Sequence, residues 1–159
     1  LEKEAARRLK ALDLENKLMD AEELGYPDIN MPDIAGEKVS LRGLDAKVIL
    51  VQFWAPEDQK QVLMNTEILK PVYEAYHSKG FEIFQVGVTV DKLQWAIVVR
   101  NQKLPWINVC DGLGPNSPAL SFYNVGSLPM AYLISDGTMS AENVTDEASL
   151  RRYLNTKLK

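Results

Sequence analysis

The segment that most restricts the fold of this chain spans residues 47–61, KVILVQFWAPEDQKQ. Val48, Ile49, Leu50, Val51, Phe53 and Trp54 make an almost unbroken run of aliphatic, β-branched and aromatic side chains. Such a run suits a strand covered on both faces of a mostly parallel sheet, because it reserves no face for water. Ala55 and Pro56 end the run, since proline has no N–H to give to a ladder. Glu57 and Asp58 follow as acids suited to a helix start, where a carboxylate accepts from free N–H groups and complements the positive end of the dipole. A strand, a tight turn and a helix N-terminus in succession make a place where anionic chemistry is stabilised.

The wording around that turn is informative. Phe53-Trp54-Ala55 after an aliphatic strand resembles the thioredoxin superfamily, in which this triplet is followed within a few residues by a Cys-x-x-Cys that opens the helix. Here the four slots read Asp58, Gln59, Lys60 and Gln61, and the one cysteine of the chain is Cys110. The resemblance implies a redox scaffold with a degenerate centre at Asp58 and Gln61. A dithiol works because a thiol at a helix N-terminus ionises and a second thiol resolves the mixed disulfide, and neither an aspartate nor a glutamine can do this.

Length and composition agree with one globular domain. A chain of 159 residues buries enough surface to need no staple, and 46% hydrophobic with 25% charged residues is ordinary for such a domain. No apolar run approaches the ~20 residues of a membrane span. A net charge of -4, without a Lys/Arg cluster interleaved with aromatics, argues against nucleic-acid binding. A single cysteine excludes an internal disulfide and leaves the redox compartment open. The first residue is Leu1 rather than Met, so a trimmed or processed chain is expected, with room for a tether upstream.

Along the chain, residues 2–24 lack Gly and Pro and are rich in helix formers, which predicts a helix or a linker from an upstream region, with a partner-binding coiled coil as the alternative. The domain proper is expected over residues 25–159. Short extended pieces at residues 28–33 and 38–41 around Ala35-Gly36 predict a hairpin. Val62, Leu69, Val72 and Tyr76 recur at helical spacing to Lys79, with Pro71 inside to kink or split the helix and Gly80 to end it. Residues 81–90 read as a strand parallel to the first. Asp91 caps a helix over residues 92–103, residues 107–110 are extended, and residues 111–118 form a loop before a short helix within 117–123. Residues 130–135 read as a strand joined through Asp136-Gly137 to another over 138–144, and Asp146 caps a last helix over 147–158.

The resemblance then widens. The stretch PDINMPDIAGEKVSLRGLDAK, residues 27–47, is similar to the entry of the TlpA/ResA-like branch of thiol-disulfide oxidoreductases. Leu104-Pro105-Trp106, Tyr123-Asn124-Val125, Ser127-Leu128-Pro129, Tyr132-Leu133-Ile134 and Asp136-Gly137-Thr138 continue it in order, so it covers residues 27–156. It implies an α/β thioredoxin-like fold: a central mixed sheet flanked by helices, an N-terminal hairpin and an insertion between the second sheet strand and the third, to which the helix expected over residues 2–24 is an extra N-terminal element. Pro129 falls where the superfamily has a cis-proline facing the dithiol. A groove of Trp54, Pro56, Glu57, Asp58, Leu128 and Pro129 is expected, able to pair with an extended peptide by strand addition. Gln52 stands where thioredoxins proper often keep a proton-shuttling acid, and it cannot titrate.

Two functions are open at this point. One is a redox-inactive domain that binds a protein or extended peptide, or serves as a structural module. The other is an oxidoreductase or peroxidase that uses Cys110 or a partner's thiol. The resemblance implies a periplasmic or cell-envelope location. No cofactor and no metal are expected, because His77 is the one histidine and the turn at Glu57 and Asp58 offers too few oxygen ligands.

Overall fold

The computed structural model describes residues 25–140 and 146–158. The helix expected over residues 2–24 lies outside the described residues, as does most of the strand expected over 138–144. The chain enters through a hairpin of β1 (Asn30–Pro32) and β2 (Lys38–Ser40). The main sheet has five strands: β3 (Val48–Trp54), β4 (Phe81–Gly87), β5 (Ile107–Val109), β6 (Met130–Ser135) and β7 (Thr138–Met139). Their order is β5-β4-β3-β6-β7. β3 and β4 are parallel, as are β4 and β5, whereas β6 runs antiparallel to β3 and β7 antiparallel to β6. This is the mixed α/β sheet of a thioredoxin-like fold.

β3 lies at the centre of the sheet, and all seven of its residues are buried. Leu50 and Trp54 point to one face, where they pack with Leu69, Val72, Tyr73, Leu150 and Leu154. Ile49, Val51 and Phe53 point to the other, against Met31, Leu41, Ala119 and Tyr123. The two-residue period of a strand thus supplies two separate cores.

Helices α1 (Gln59–Met64) and α2 (Lys70–Tyr76) follow β3, joined by a single wide π-helical stretch over Asn65–Leu69. The Lys70 N–H reaches back five residues to the Asn65 carbonyl. Pro71 stands just after that turn. The expected kink therefore takes the form of a widened turn, which relieves the clash of the pyrrolidine ring with the carbonyl four residues back without breaking the rod.

Gly80 closes the helical run at φ 111°, a backbone setting that disfavours a side chain. β4 is shorter than the expected strand. The Val88 N–H still donates to the Trp54 carbonyl at 2.8 Å, but β3 ends there and leaves residues 89 and 90 without a ladder partner. Gly87 permits the tight packing of α3 (Lys92–Gln102) here, since a Cβ would lie 2.5 Å from the Trp95 ring. α4 (Pro118–Phe122) and α5 (Glu147–Lys157) complete the layers. Asp91 and Asp146 cap α3 and α5 through backbone N–H groups three residues on, as their positions predict. Asp136 and Gly137, both at positive φ, make the turn between β6 and β7.

Candidate functional site

The site expected from the sequence is the junction of β3 and α1. Asp58 is the N-cap of α1: its carboxylate accepts from the Lys60 N–H at 2.9 Å and the Gln61 N–H at 3.3 Å. Gln61 is buried and folds back under the turn, where its Oε1 accepts from the Ala55 N–H at 2.7 Å and its Nε2 donates to Asp58 Oδ2 at 3.2 Å. The residues in the two thiol slots are thus joined by a hydrogen bond. Glu57 takes no part in the helix. Its carboxylate accepts from Thr89 Oγ1, whose oxygen in turn accepts from the Asp91 N–H, and the turn is thereby tied to the loop after β4.

The expected groove needs correction at two residues. Trp54 is fully buried and packs within the core, because a strand with both faces covered leaves its last indole no route to the surface. Pro56 is buried as well. The Leu128-Pro129 bond is cis, Pro129 is exposed and Leu128 is half-buried. These two neighbours face different hollows. Leu128 borders one of about 440 Å³ beside Val88, Leu120 and Val125. Pro129 borders another of about 270 Å³ with Gln52, Met64, Ile68, Met130 and Leu150.

Gln52 belongs to a chain of buried amides that sequence reasoning did not foresee. Trp106 Nε1 donates to Gln85 Oε1 at 2.8 Å. Gln85 Nε2 donates to Gln52 Oε1 at 2.8 Å and to Asn65 Oδ1 at 2.7 Å. Asn65 Nδ2 donates to Gln102 Oε1 at 3.0 Å, and Gln102 Nε2 to the Val62 carbonyl at 2.7 Å. An indole N–H can only donate and a carbonyl can only accept, so both ends of the chain fix every amide between them in one orientation. The available signal was the pair Gln52 and Gln85, each in the middle of an apolar strand; a buried amide there demands partners. In the sheet register the two residues lie directly opposite each other.

Cys110 follows β5, is fully buried and has its Sγ 4.0 Å from the Thr89 carbonyl. Burial pushes its thiol above the ordinary value, and Asp111 acts in the same direction. His77 is exposed at the end of the α2 rod, stacked on Tyr73, with Nδ1 2.9 Å from the Phe81 carbonyl. Among the described residues no three His, Cys, Asp or Glu side chains gather as a metal site would require. Among them too, no helix is long and apolar enough to cross a membrane.

No protein-family model matches the sequence. The chain is 25% identical over 125 residues to the thiol-disulfide oxidoreductase ResA of Bacillus cereus, across 76% of this chain and 68% of that protein. The fold matches a thiol-disulfide oxidoreductase of Bacteroides fragilis with a TM-score of 0.73 and 28% identity, across 83% of this chain and 98% of the other. It also matches an uncharacterised thioredoxin-like protein of Bacteroides vulgatus, 32% identical, with a TM-score of 0.70, across 83% of this chain and 88% of the other. The chain belongs to the thioredoxin-like family. As a thioredoxin-like protein akin to the thiol-disulfide oxidoreductases, it has the sheet, the helix start and the cis-proline, but with one cysteine it has no Cys-x-x-Cys. In this family member the helix start holds a carboxylate and an amide that serve the turn itself.

Proposed function

We propose that this thioredoxin-like domain, taken as residues 25–159, is redox-inactive and acts as a binding module of the bacterial cell envelope. The observation that carries this reading is the Asp58-Gln61 pair. Its polar atoms are engaged in capping α1 and closing the turn, so the end of the helix presents no group able to exchange electrons with a disulfide. The alternative reading through Cys110 is disfavoured by the burial of that thiol and by its raised pKa, which keeps it protonated at neutral pH. The occupant that suits the exposed Pro129 loop is an extended polypeptide, which could add its backbone beside Leu128. The envelope location is what the resemblance to the TlpA/ResA-like branch implies, and the likeness to ResA supports it.

The test is reduction of insulin disulfides under dithiothreitol. The expected rate equals that of the Cys110→Ala variant and of buffer. A rate that the native chain has and Cys110→Ala lacks would establish the enzyme instead.

A further inference from the structure

We propose that the cavity of about 270 Å³ between β3, β6, the α1–α2 rod and α5 is a binding site for a small, neutral, mostly hydrocarbon molecule that carries one carbonyl acceptor. This goes beyond the polypeptide-binding role. Three observations converge on it.

The first is an amide donor at the cavity wall. Gln52 is only 4% exposed and lines the cavity. The orientation of the amide chain, set by the Trp106 N–H at one end and the Val62 carbonyl at the other, requires Gln52 to turn its Oε1 to Gln85. Its Nε2 is then the one member of the chain with no protein acceptor among the described residues. Its register partner on β6 is Ala131, which also lines the cavity with a small side chain. This N–H is not among the fully enclosed donors without a partner, which among the described residues are the Trp54 and Trp95 indoles; at the cavity wall it is open to an acceptor on a bound molecule.

The second observation is the size and surface of the cavity. It is nearly twice the ~150 Å³ of an apolar cavity known to hold benzene, which suits a molecule of roughly a dozen heavy atoms. Met64, Ile68, Leu69, Met130 and Leu150 contribute hydrocarbon and thioether walls, and methionines adapt to irregular shapes. The third observation is charge. The lining contains no Lys, Arg or His, and its one ionisable residue is Asp146, whose carboxylate caps α5. An anionic ligand such as a fatty acid would enter opposite that acid with only an amide to compensate it, so the acceptor must be neutral.

The test uses three probes of one shape at pH 7.5, titrated into the full chain by calorimetry and ligand-observed NMR: 2-acetylnaphthalene, 2-ethylnaphthalene and 2-naphthoate. The ketone is expected to bind with a Kd on the order of 100 μM. The hydrocarbon, which lacks the acceptor, and the carboxylate should each bind at least about fivefold more weakly. Met64→Trp and Ile68→Phe both replace half-buried residues on the helix and fill the hollow. Whichever of them gives a cooperative melt should lose ketone binding. Gln52→Leu should level the affinities of ketone and hydrocarbon. The proposal is overturned if the ketone does not bind up to its solubility limit, if 2-ethylnaphthalene or 2-naphthoate binds as well as the ketone, or if binding survives in a folded cavity-filling variant.

Discussion

At Asp58 the carboxylate meets two backbone N–H groups and the Gln61 amide, so each oxygen has a structural task. Replacing Asp58 with Ala leaves those N–H groups to water and should cost about 0.5–2 kcal/mol, whereas Asn still accepts and should cost less. Urea unfolding of the two variants checks the order. Cys110 makes a second prediction at this scale. Its folded-state pKa is raised by burial, so the folded protein keeps its proton where the unfolded chain has lost it. The stability linked to Cys110 is therefore complete below the ordinary thiol pKa and declines as pH rises above it. Iodoacetamide at pH 7.4 should leave native Cys110 unmodified and label it in urea, and the decline of stability between pH 8 and pH 10 should be smaller in Cys110→Ala.

Among the elements, β3 and β4 carry the amide chain, and the π-helical turn carries Asn65, which lies between Gln85 and Gln102. The widened turn is thus both the accommodation of Pro71 and the place from which the helix reaches the sheet's buried amides. Gln52→Glu tests this arrangement. The new carboxylate would accept from Gln85 with one oxygen and present the other to an apolar cavity beside Asp146, so its pKa should be raised. A raised folded-state pKa means that the variant is most stable below about pH 4.3, the ordinary glutamate value, and loses stability as pH rises. Relative to the native chain, denaturation at pH 4.5 should reveal a small penalty, and at pH 7.5 one of about 1–3 kcal/mol or more.

For the whole molecule, the fold keeps the geometry of a thiol-disulfide oxidoreductase: a helix start after the central strand and a cis-proline loop on the neighbouring strand. If thiols are what is missing, supplying them should restore chemistry. The double variant D58C/Q61C places one thiol at the N-terminus of α1, where its pKa falls toward roughly 3.5–7.5, and a buried resolving thiol three residues on. It should reduce insulin, while D58C and Q61C alone should not turn over. Loss of the Asp58 cap and of the Gln61 bond to the Ala55 N–H should together lower its stability in the reduced state by about 1–3 kcal/mol.

The sequence by itself determined the central strand, the helix starts at Asp58, Asp91 and Asp146, the turn at Asp136-Gly137 and the missing dithiol. Each of these depends on neighbours within a few residues, on hydrophobic period, proline, capping chemistry or the mere presence of sulfur. Trp54 could not be placed from its surroundings in sequence, because an aromatic at the end of a strand suits a groove or a core equally well until the layers above it are known. The division of Leu128 and Pro129 between two hollows, and the amide chain from Trp106 to Val62, were decided by tertiary structure alone. They unite residues far apart in the chain, 40 positions across a single bond of the amide chain, and only packing sets which polar atoms meet and which donor, at Gln52, stands at a cavity wall.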